Sequence, residues 1–568
     1  MDTINIERIK GWLQECTDNH ESCRKQAQLC TIWSSDNMHI VRDLGHEDQM
    51  PRRLLEFPTD GNGSAKLVDT HEPTPYLALS HRWGEKETCI CTRENLEDLQ
   101  RDGLPISSLP QTYHDAIVVT TKLGFHHLWI DSLCIIQNDV EDWKEEAPRM
   151  AVIYGNAVLT IAAMDAETSD GGLFAQAMEK EKRGGLELRA WVTQERMISP
   201  RSLVFTGDSI VWECRESDAK DTDTELVTRQ TLDQISNVEK DGEPPAKKAI
   251  PDHPKELFAF FRDFRLPGVT FDENQHEFMS INSDLLGDRD DYDIFLQAWW
   301  RFISFYTPRR LTFGKDKFLA MNGIAAASMR WTQMKNTFGL WFHFIEHELL
   351  WSVDPDGPEA TKPGSFRTPS WSWASLDNGR VVNKYYERLP LKPELKLKPK
   401  FVMPVGTSFD QTLPIPAWTS QHYTIKLWGS LRSAEIHTKL GDDGKPRHHV
   451  TVDPVGRWSD KESYDFIPDI RAWFPVDKVV KVTCLHVLQY QKEDGGLPHY
   501  IDVYLVLNHV NPTNQQQELK LYEEDVPEGQ LIEERTFRRL GYMETTYDEM
   551  RNWNDIWEDI WWRYLVLK

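Results

Sequence analysis

Residues 128–163 read LWIDSLCIIQNDVEDWKEEAPRMAVIYGNAVLTIAA. Leu128, Trp129 and Ile130 form an apolar run too short for a helix, and they read as a buried strand. Asp142–Tyr154 follows with helical spacing, and Val158–Ala163 is a second strand. Working outward, Tyr76-Leu77-Ala78-Leu79 is a further buried strand. Asp115–Leu123 reads as a helix that Gly124 closes from the position just past its cap. Strand, helix, strand, helix, strand predicts a parallel sheet with helices on its faces. Beyond it, residues 189–198 (RAWVTQERMI) read as helical. Leu203-Val204-Phe205 and Ile210-Val211-Trp212 flank a Gly-Asp turn as a hairpin.

The 568 residues carry 65 Lys+Arg against 90 Asp+Glu, a formal charge of −25. That acidic balance excludes the clustered basic surface that gripping nucleic acid or an anionic membrane requires. Apolar residues are 40% and charged residues 27%, a globular composition with ample material for several cores. No stretch approaches the roughly 20 apolar residues of a bilayer span. The first residues, MDTINIERIKGWLQEC, hold no apolar run of signal-peptide type, so a cytoplasmic protein is expected. Eight cysteines are sparse, and in a reducing compartment they are thiols or metal ligands rather than a disulfide framework.

Five regions are expected: an N-terminal extension over 1–70, the parallel-sheet domain over 71–215, an acidic linker or insertion over 216–290, a helical region over 291–365, and a β-rich region over 366–568. Within them, helices are expected at Ile4–Cys16, Tyr292–Tyr306 and Phe338–Trp351. Tyr423–Trp428, Val479–Cys484 and Tyr500–Val506 alternate apolar and polar residues as strands. Trp553, Ile556, Trp557, Ile560 and Trp561 have the spacing of an amphipathic, acidic tail helix. Trp371-Ser372-Trp373 is read as one strand face that joins two domains.

Three blocks carry a family resemblance: Tyr76–Gly84 (YLALSHRWG), Leu128–Ala163, and Arg189–Cys214 (RAWVTQERMISPRSLVFTGDSIVWEC). Together they resemble the fungal heterokaryon incompatibility (HET) domain. WLQECTDNHESC, DKFLAMNGIA and RTPSWSWASLD are similar to the flanks of such domains. The resemblance implies a fold similar to the Toll/interleukin receptor (TIR) domain, a flavodoxin-like parallel sheet, within an α/β plus α+β chain. It further implies a role in nonself recognition and programmed cell death. Some TIR-like domains cleave NAD with a helix-borne glutamate that follows a Trp. That implies NAD as a substrate rather than a required cofactor, and an NAD nucleosidase type of hydrolase.

On a helical wheel Trp143, Ala147, Met150 and Tyr154 form one stripe, with Glu146 about 60° from its centre and Glu145 nearly opposite. A carboxylate at the rim of an apolar face loses solvation, which raises its pKa and suits acid–base work or support of an oxocarbenium-like state. Glu146 and Asp131 are the candidate catalytic acids, and Trp143 accompanies Glu146. Pro148 inside the helix leaves this placement uncertain by a turn. The alternative is structural: Glu146 pairs with Arg149 or another basic group.

Ser80, Arg82, Trp83 and Gly84 follow a strand, as do Asp131 and Ser132, and in open parallel sheets ligands bind beyond the carboxyl ends of the strands. Ser80 and Arg82 suit a phosphate or ribose, Trp83 a base or nicotinamide ring, and Gly84 a tight turn. The alternative is that Trp83 packs the loop and Asp131 caps a turn. Cys134, near His126 and His127, is a weaker nucleophile candidate, since a Cys after a buried strand usually serves packing.

Cys16, His20 and Cys23 share a helical face, and with Cys30 they offer a structural zinc site; buried thiols and a satisfied His are the alternative. Gln194-Glu195-Arg196 with Arg201 is read as a structural knot, a buried Glu–Arg pair fixing a helix against the hairpin, with catalysis as the alternative. Three functions compete: a NAD-cleaving incompatibility effector, a non-enzymatic module that self-assembles or meets an incompatible allelic partner, and an accessory or tailoring protein of fungal secondary metabolism.

Overall fold

A computed structural model describes residues 5–24, 50–84, 89–174, 185–207, 209–223, 225–228, 250–264, 289–332, 336–341, 344–364, 368–388, 396–397, 402–408, 424–442, 444–452, 462–470, 474, 476–494, 497–509, 535–547 and 562–567. The chain divides into two compact units, residues 1–298 with 309–333, and residues 299–308 with 334–568.

The first unit is mixed α/β. Its sheet comprises β1 (Arg53–Glu56), β2 (Ser64–Asp69), β3 (Leu77–Ser80), β4 (Leu104–Pro105), β5 (His127–Trp129), β6 (Leu159–Ala163), β7 (Arg201–Phe205), β8 (Ile210–Cys214), β9 (Ser217–Lys220) and β10 (Val227–Thr228). Their order is β10-β9-β8-β7-β6-β3-β5-β1-β2-β4. β5, β3, β6 and β7 run parallel, and β3, β6 and β7 are buried throughout. A strand covered on both faces has no solvent side, which is why these segments are mostly apolar and do not alternate between apolar and polar residues.

Side chains alternate between two cores. Leu77, Leu79, Leu128, Ile161 and Leu203 meet Tyr113, Ala116 and Ile117 of the helix Gln111–Lys122 and Ile9 and Trp12 of the helix Ile6–Asn19. Ala78 and Trp129 meet Met150, Ile153 and Tyr154 of the helix Val140–Asn156. Asp139 starts that helix by accepting from the N–H groups of Glu141 and Asp142, and Pro148 sits inside it. Gly124, at φ +93°, ends the Gln111 helix as expected.

Several expectations need correction. The sheet is mixed: β1, β2, β4, β8, β9 and β10 are antiparallel additions at its edges. Two of these, β1 and β2, lie in the stretch read as loop. The supposed linker contains β9, β10 and the helix Pro254–Asp263; residues 229–249 and 265–288 lie outside the described residues. Counted along the chain, the parallel strands stand in the order 2-1-3-4, the order of doubly wound flavodoxin-like sheets. The TIR-like or flavodoxin-like expectation reaches no further than that order.

The second unit holds β11 (Asn336–Thr337), β12 (Leu340–Trp341), β13 (Trp351–Val353), β14 (Val381–Asn383), β15 (Lys396–Leu397), β16 (Val402–Ser408), β17 (Thr424–Leu440), β18 (Pro446–Val452), β19 (Glu462–Pro468), β20 (Val479–Asp494), β21 (Leu497–His509), β22 (Arg535–Tyr547) and β23 (Trp562–Leu567). β17 pairs with both β18 and β20, so the ring β17-β20-β21-β22-β19-β18 closes into a barrel. Ile436, Val450, Phe466, Val482, Val506 and Met543 fill its core. The expected helix over 338–351 is instead broken by Phe338 and Gly339, at φ +50° and +84°, into β12, a short turn of helix and β13. Trp371 and Trp373 flank the start of a 3-10 turn, not a strand; the Trp373 indole donates to the Gly339 carbonyl at 3.2 Å. The helix expected at 292–306 is present as Arg289–Tyr306. The expected tail helix over 553–561 lies outside the described residues.

Two buried contacts generate stability predictions. In the first unit, a Cβ on Gly323 would collide with Ala151 and Ile198, and the Gly323 N–H donates to Gln194 Oε1 at 2.9 Å. Gly323→Ala should therefore destabilise by about 1–3 kcal/mol, against the gain that helix propensity alone predicts, as measured by urea unfolding. In the second unit, fully buried Arg539 faces Asp469 at 3.0 Å, donates to the carbonyls of Leu349 and Trp351, and lies 3.5 Å from the Trp351 ring centre. Arg539→Ala leaves a buried carboxylate unpaired and should cost about 3–5 kcal/mol, with much of the loss recovered in the double variant with Asp469→Ala.

Candidate functional site

β3 is the central strand at which the sheet changes direction: the chain leaves it for β5 on one side, then passes back to β6 on the other. Such a switch point, at the carboxyl ends of the strands, is where an α/β sheet places its ligands. Ser80 ends β3, Asp131 follows β5, and the helix Ala190–Ile198 between β6 and β7 supplies Glu195.

The buried Ser80 hydroxyl donates to Glu195 Oε2. The Tyr154 hydroxyl, which donates to the Leu79 carbonyl at 3.1 Å, also lies against Glu195. Asp131 accepts from the Trp83 indole at 3.0 and 3.1 Å and from the Ser132 N–H at 2.8 Å. The Tyr113 hydroxyl stands between Ser132 Oγ, at 2.7 Å, and His81 Nε2, at 2.9 Å. His81 Nδ1 is 3.8 Å from Asp131. Arg189 donates to the His81 carbonyl at 2.7 Å and places its charge beside both carboxylates.

Burial pushes the Glu195 carboxyl up to about 7, while Arg189 and the Ser80 hydrogen bond pull the other way. Burial also raises Asp131, opposed by Arg189 and the Trp83 indole. Two carboxyl groups in unlike surroundings can divide acid–base labour: Glu195 holds or releases a proton near neutrality, and Asp131 is furnished with N–H donors for its anionic form.

The structure thus brings together Ser80, Trp83, Asp131 and Ser132. Arg82 packs against Gly185, and Gly84, at φ +87°, packs against Thr168. Trp143 lies under Lys315 Nζ, 5.1 Å from its ring centre. Glu146 is not brought to the cluster. Its buried carboxylate faces Arg52 at 3.4 Å and Arg149 at 3.6 Å, beside the Arg53–Asp142 pair. The cause is β1, unread in the sequence, which carries Arg53 and is preceded by Arg52. Burial raises Glu146, and Arg149, Arg53 and Arg52 oppose the rise.

Cys16, His20 and Cys23 do converge, and all are buried. Their fourth companion is Cys214, at the end of β8; Cys30, expected in that place, lies outside the described residues. The Gln194-Glu195-Arg196 knot is also re-partnered. Arg196 locks the helix to the hairpin through Glu213, at 2.9 Å, and Arg201 donates to Cys16 Sγ at 3.1 Å, which leaves Glu195 to Ser80. In the sequence Glu195 reads as structural first and catalytic second, and Arg189, His81, Tyr113 and Tyr154 carry no reading as site residues. The one local signal was a Glu set among apolar positions of a short helix.

Glu195 makes stability pH-dependent with a defined sign. Its folded value of about 7 lies above the ordinary 4.5, so the folded chain binds the extra proton between them. Stability is then lost as pH rises through that window and levels off above it. Relative to Glu195→Gln, the wild type should lose about 2–3 kcal/mol between pH 5 and 7.5 in urea unfolding followed by tryptophan fluorescence. Parallel pH curves for the two chains would contradict the assignment.

Residues 76–233 match the family described as heterokaryon incompatibility protein (HET). No curated protein and no solved structure matches the chain. The match begins at the last residue before β3 and takes in β3, β5, β6, β7 and β8, with Ser80, Asp131 and Glu195 inside it. Residues 76–233 of the chain are therefore similar to the heterokaryon incompatibility (HET) domain family.

Proposed function

We propose that the chain is a cytoplasmic effector of fungal nonself recognition whose HET domain signals cell death by hydrolysing NAD or a related nucleotide. The observation that carries this reading is the convergence of two carboxyl groups from distant segments, Asp131 and Glu195, with Arg189 beside both, at the switch point of a parallel sheet. Cleavage breaks the C1′–N bond, and nicotinamide leaves with the bonding electrons. Asp131 supports the cationic sugar, and Glu195 takes a proton from the water whose oxygen bonds C1′. Trp83, anchored through its N–H, offers a ring face for stacking, and half-buried Arg82 is the cation suited to a phosphate.

One observation favours a second reading, a non-enzymatic module that assembles with itself or an allelic partner. Ser80 with Glu195 and Trp83 with Asp131 already satisfy one another, and such pairs equally serve to fix the loops after β3 and β5.

The test is incubation of the purified full chain with NAD, with nicotinamide and ADP-ribose quantified by chromatography. Turnover should fall by about 10²–10⁴-fold in Glu195→Gln and in Asp131→Asn, with circular dichroism unchanged. Glu146→Gln should retain turnover. A wild-type chain that kills on expression yet leaves NAD intact, together with an equally toxic Glu195→Gln chain, would replace the enzymatic reading with the second one.

A further inference from the structure

Cys16 lies on the last turns of the helix Ile6–Asn19, and His20 caps that helix by donating its backbone N–H to the Cys16 carbonyl at 3.2 Å. Cys23 follows in the short helix Glu21–Arg24, and Cys214 arrives from the end of β8, 191 residues beyond Cys23. The donor atoms of all four lie within 4.8 Å of one another, and all four residues are buried. Zinc holds thiolates at about 2.3 Å and imidazole nitrogen at about 2.0 Å in a tetrahedron, which sets its donors a little under 4 Å apart. The cluster needs only a slight contraction to fit.

The surroundings suit sulfur in its anionic form. The Ser217 N–H and hydroxyl, at the start of β9, each stand 3.2 Å from Cys214 Sγ. The Arg201 guanidinium donates to Cys16 Sγ at 3.1 Å. Nearby cations lie in the same wall: Arg215 and Arg262 both donate to the Ser22 carbonyl, at 2.9 and 3.1 Å. His20 turns Nδ1 toward the cluster, 3.3 Å from Cys214 Sγ. Three thiolates and one neutral imidazole around a divalent ion leave a single negative charge, which these arginines offset.

We propose that Cys16, His20, Cys23 and Cys214 bind one structural zinc ion that staples the N-terminal helical segment to the β8 edge of the sheet. The site is closed, since four protein donors complete the tetrahedron and leave no position for substrate. It makes the segment before residue 76, which lies outside the family match, an integral part of the HET domain's core. Trp12, buried against Trp212 with ring centres 6.3 Å apart, is the packing that this staple secures.

The test uses the full chain purified without chelator under reducing conditions, with metal measured by plasma mass spectrometry. Zinc should be present in equimolar amount. It should fall to background in Cys214→Ser and Cys16→Ser and persist in Cys89→Ser. Cobalt(II) added to the chelator-stripped wild type should give the intense thiolate-to-cobalt absorption of a tetrahedral site, so the proposal does not depend on variants that fail to fold. Chelation should lower the thermal midpoint. A folded wild type that takes up neither zinc nor cobalt, or zinc retained in full by Cys214→Ser, would overturn the site.

Discussion

Arg189 is the fixed charge around which the first unit's interior polar chemistry is arranged. Glu195 is buried and Asp131 partly buried, and an uncompensated carboxylate in such a place is costly. Arg189 opposes the rise of both. Its own position is set by backbone: it caps the helix Ala190–Ile198 and forms a bridge with Arg310, whose carbonyl accepts from the Ala190 N–H at 2.9 Å. The guanidinium then reaches the His81 carbonyl at the end of β3.

The same helix is held at its other end by a buried cation. Lys255 donates to the carbonyls of Arg196 and Ser199, at 2.6 and 2.9 Å, and to Ser202 Oγ at 2.8 Å. An ammonium at a helix carboxyl terminus satisfies carbonyls that have no partner within the helix and complements its dipole. Burial lowers Lys255 to about 7, opposed by the charge of Glu213. Glu213 in turn holds Arg196, so helix, hairpin and the Pro254 helix share one set of charges. Positioning Glu195 is thus a consequence of interactions at both termini of a nine-residue helix.

Glu146 shows how a local argument can be sound and still misplace a residue. The wheel put it at the rim of an apolar stripe, and it is indeed buried on that helix. What the wheel does not contain is the neighbour. Arg52 and Arg53 come from a strand edge that reads as polar loop, and they draw Glu146 into a charge cluster with Arg149. In the metal cluster the helical spacing of Cys16, His20 and Cys23 was legible, whereas Cys214 was not, because a sheet edge and not a spacing rule delivers it.

The sequence by itself determined the alternation of strands and helices from Tyr76 to Ile198, because buried parallel strands and amphipathic helices carry different periods that each segment displays alone. It also determined that Ser80 and Asp131 stand at strand ends, and its motifs carry the likeness of residues 76–233 to the HET family. Only the tertiary structure decided which acid meets Ser80, which cysteine completes the N-terminal cluster, and which strands flank the parallel core. Those are pairings between residues 115 and 191 positions apart. They are fixed by the competition of buried charges and thiols for partners in a closed interior, and no single segment of the chain contains both sides of that competition.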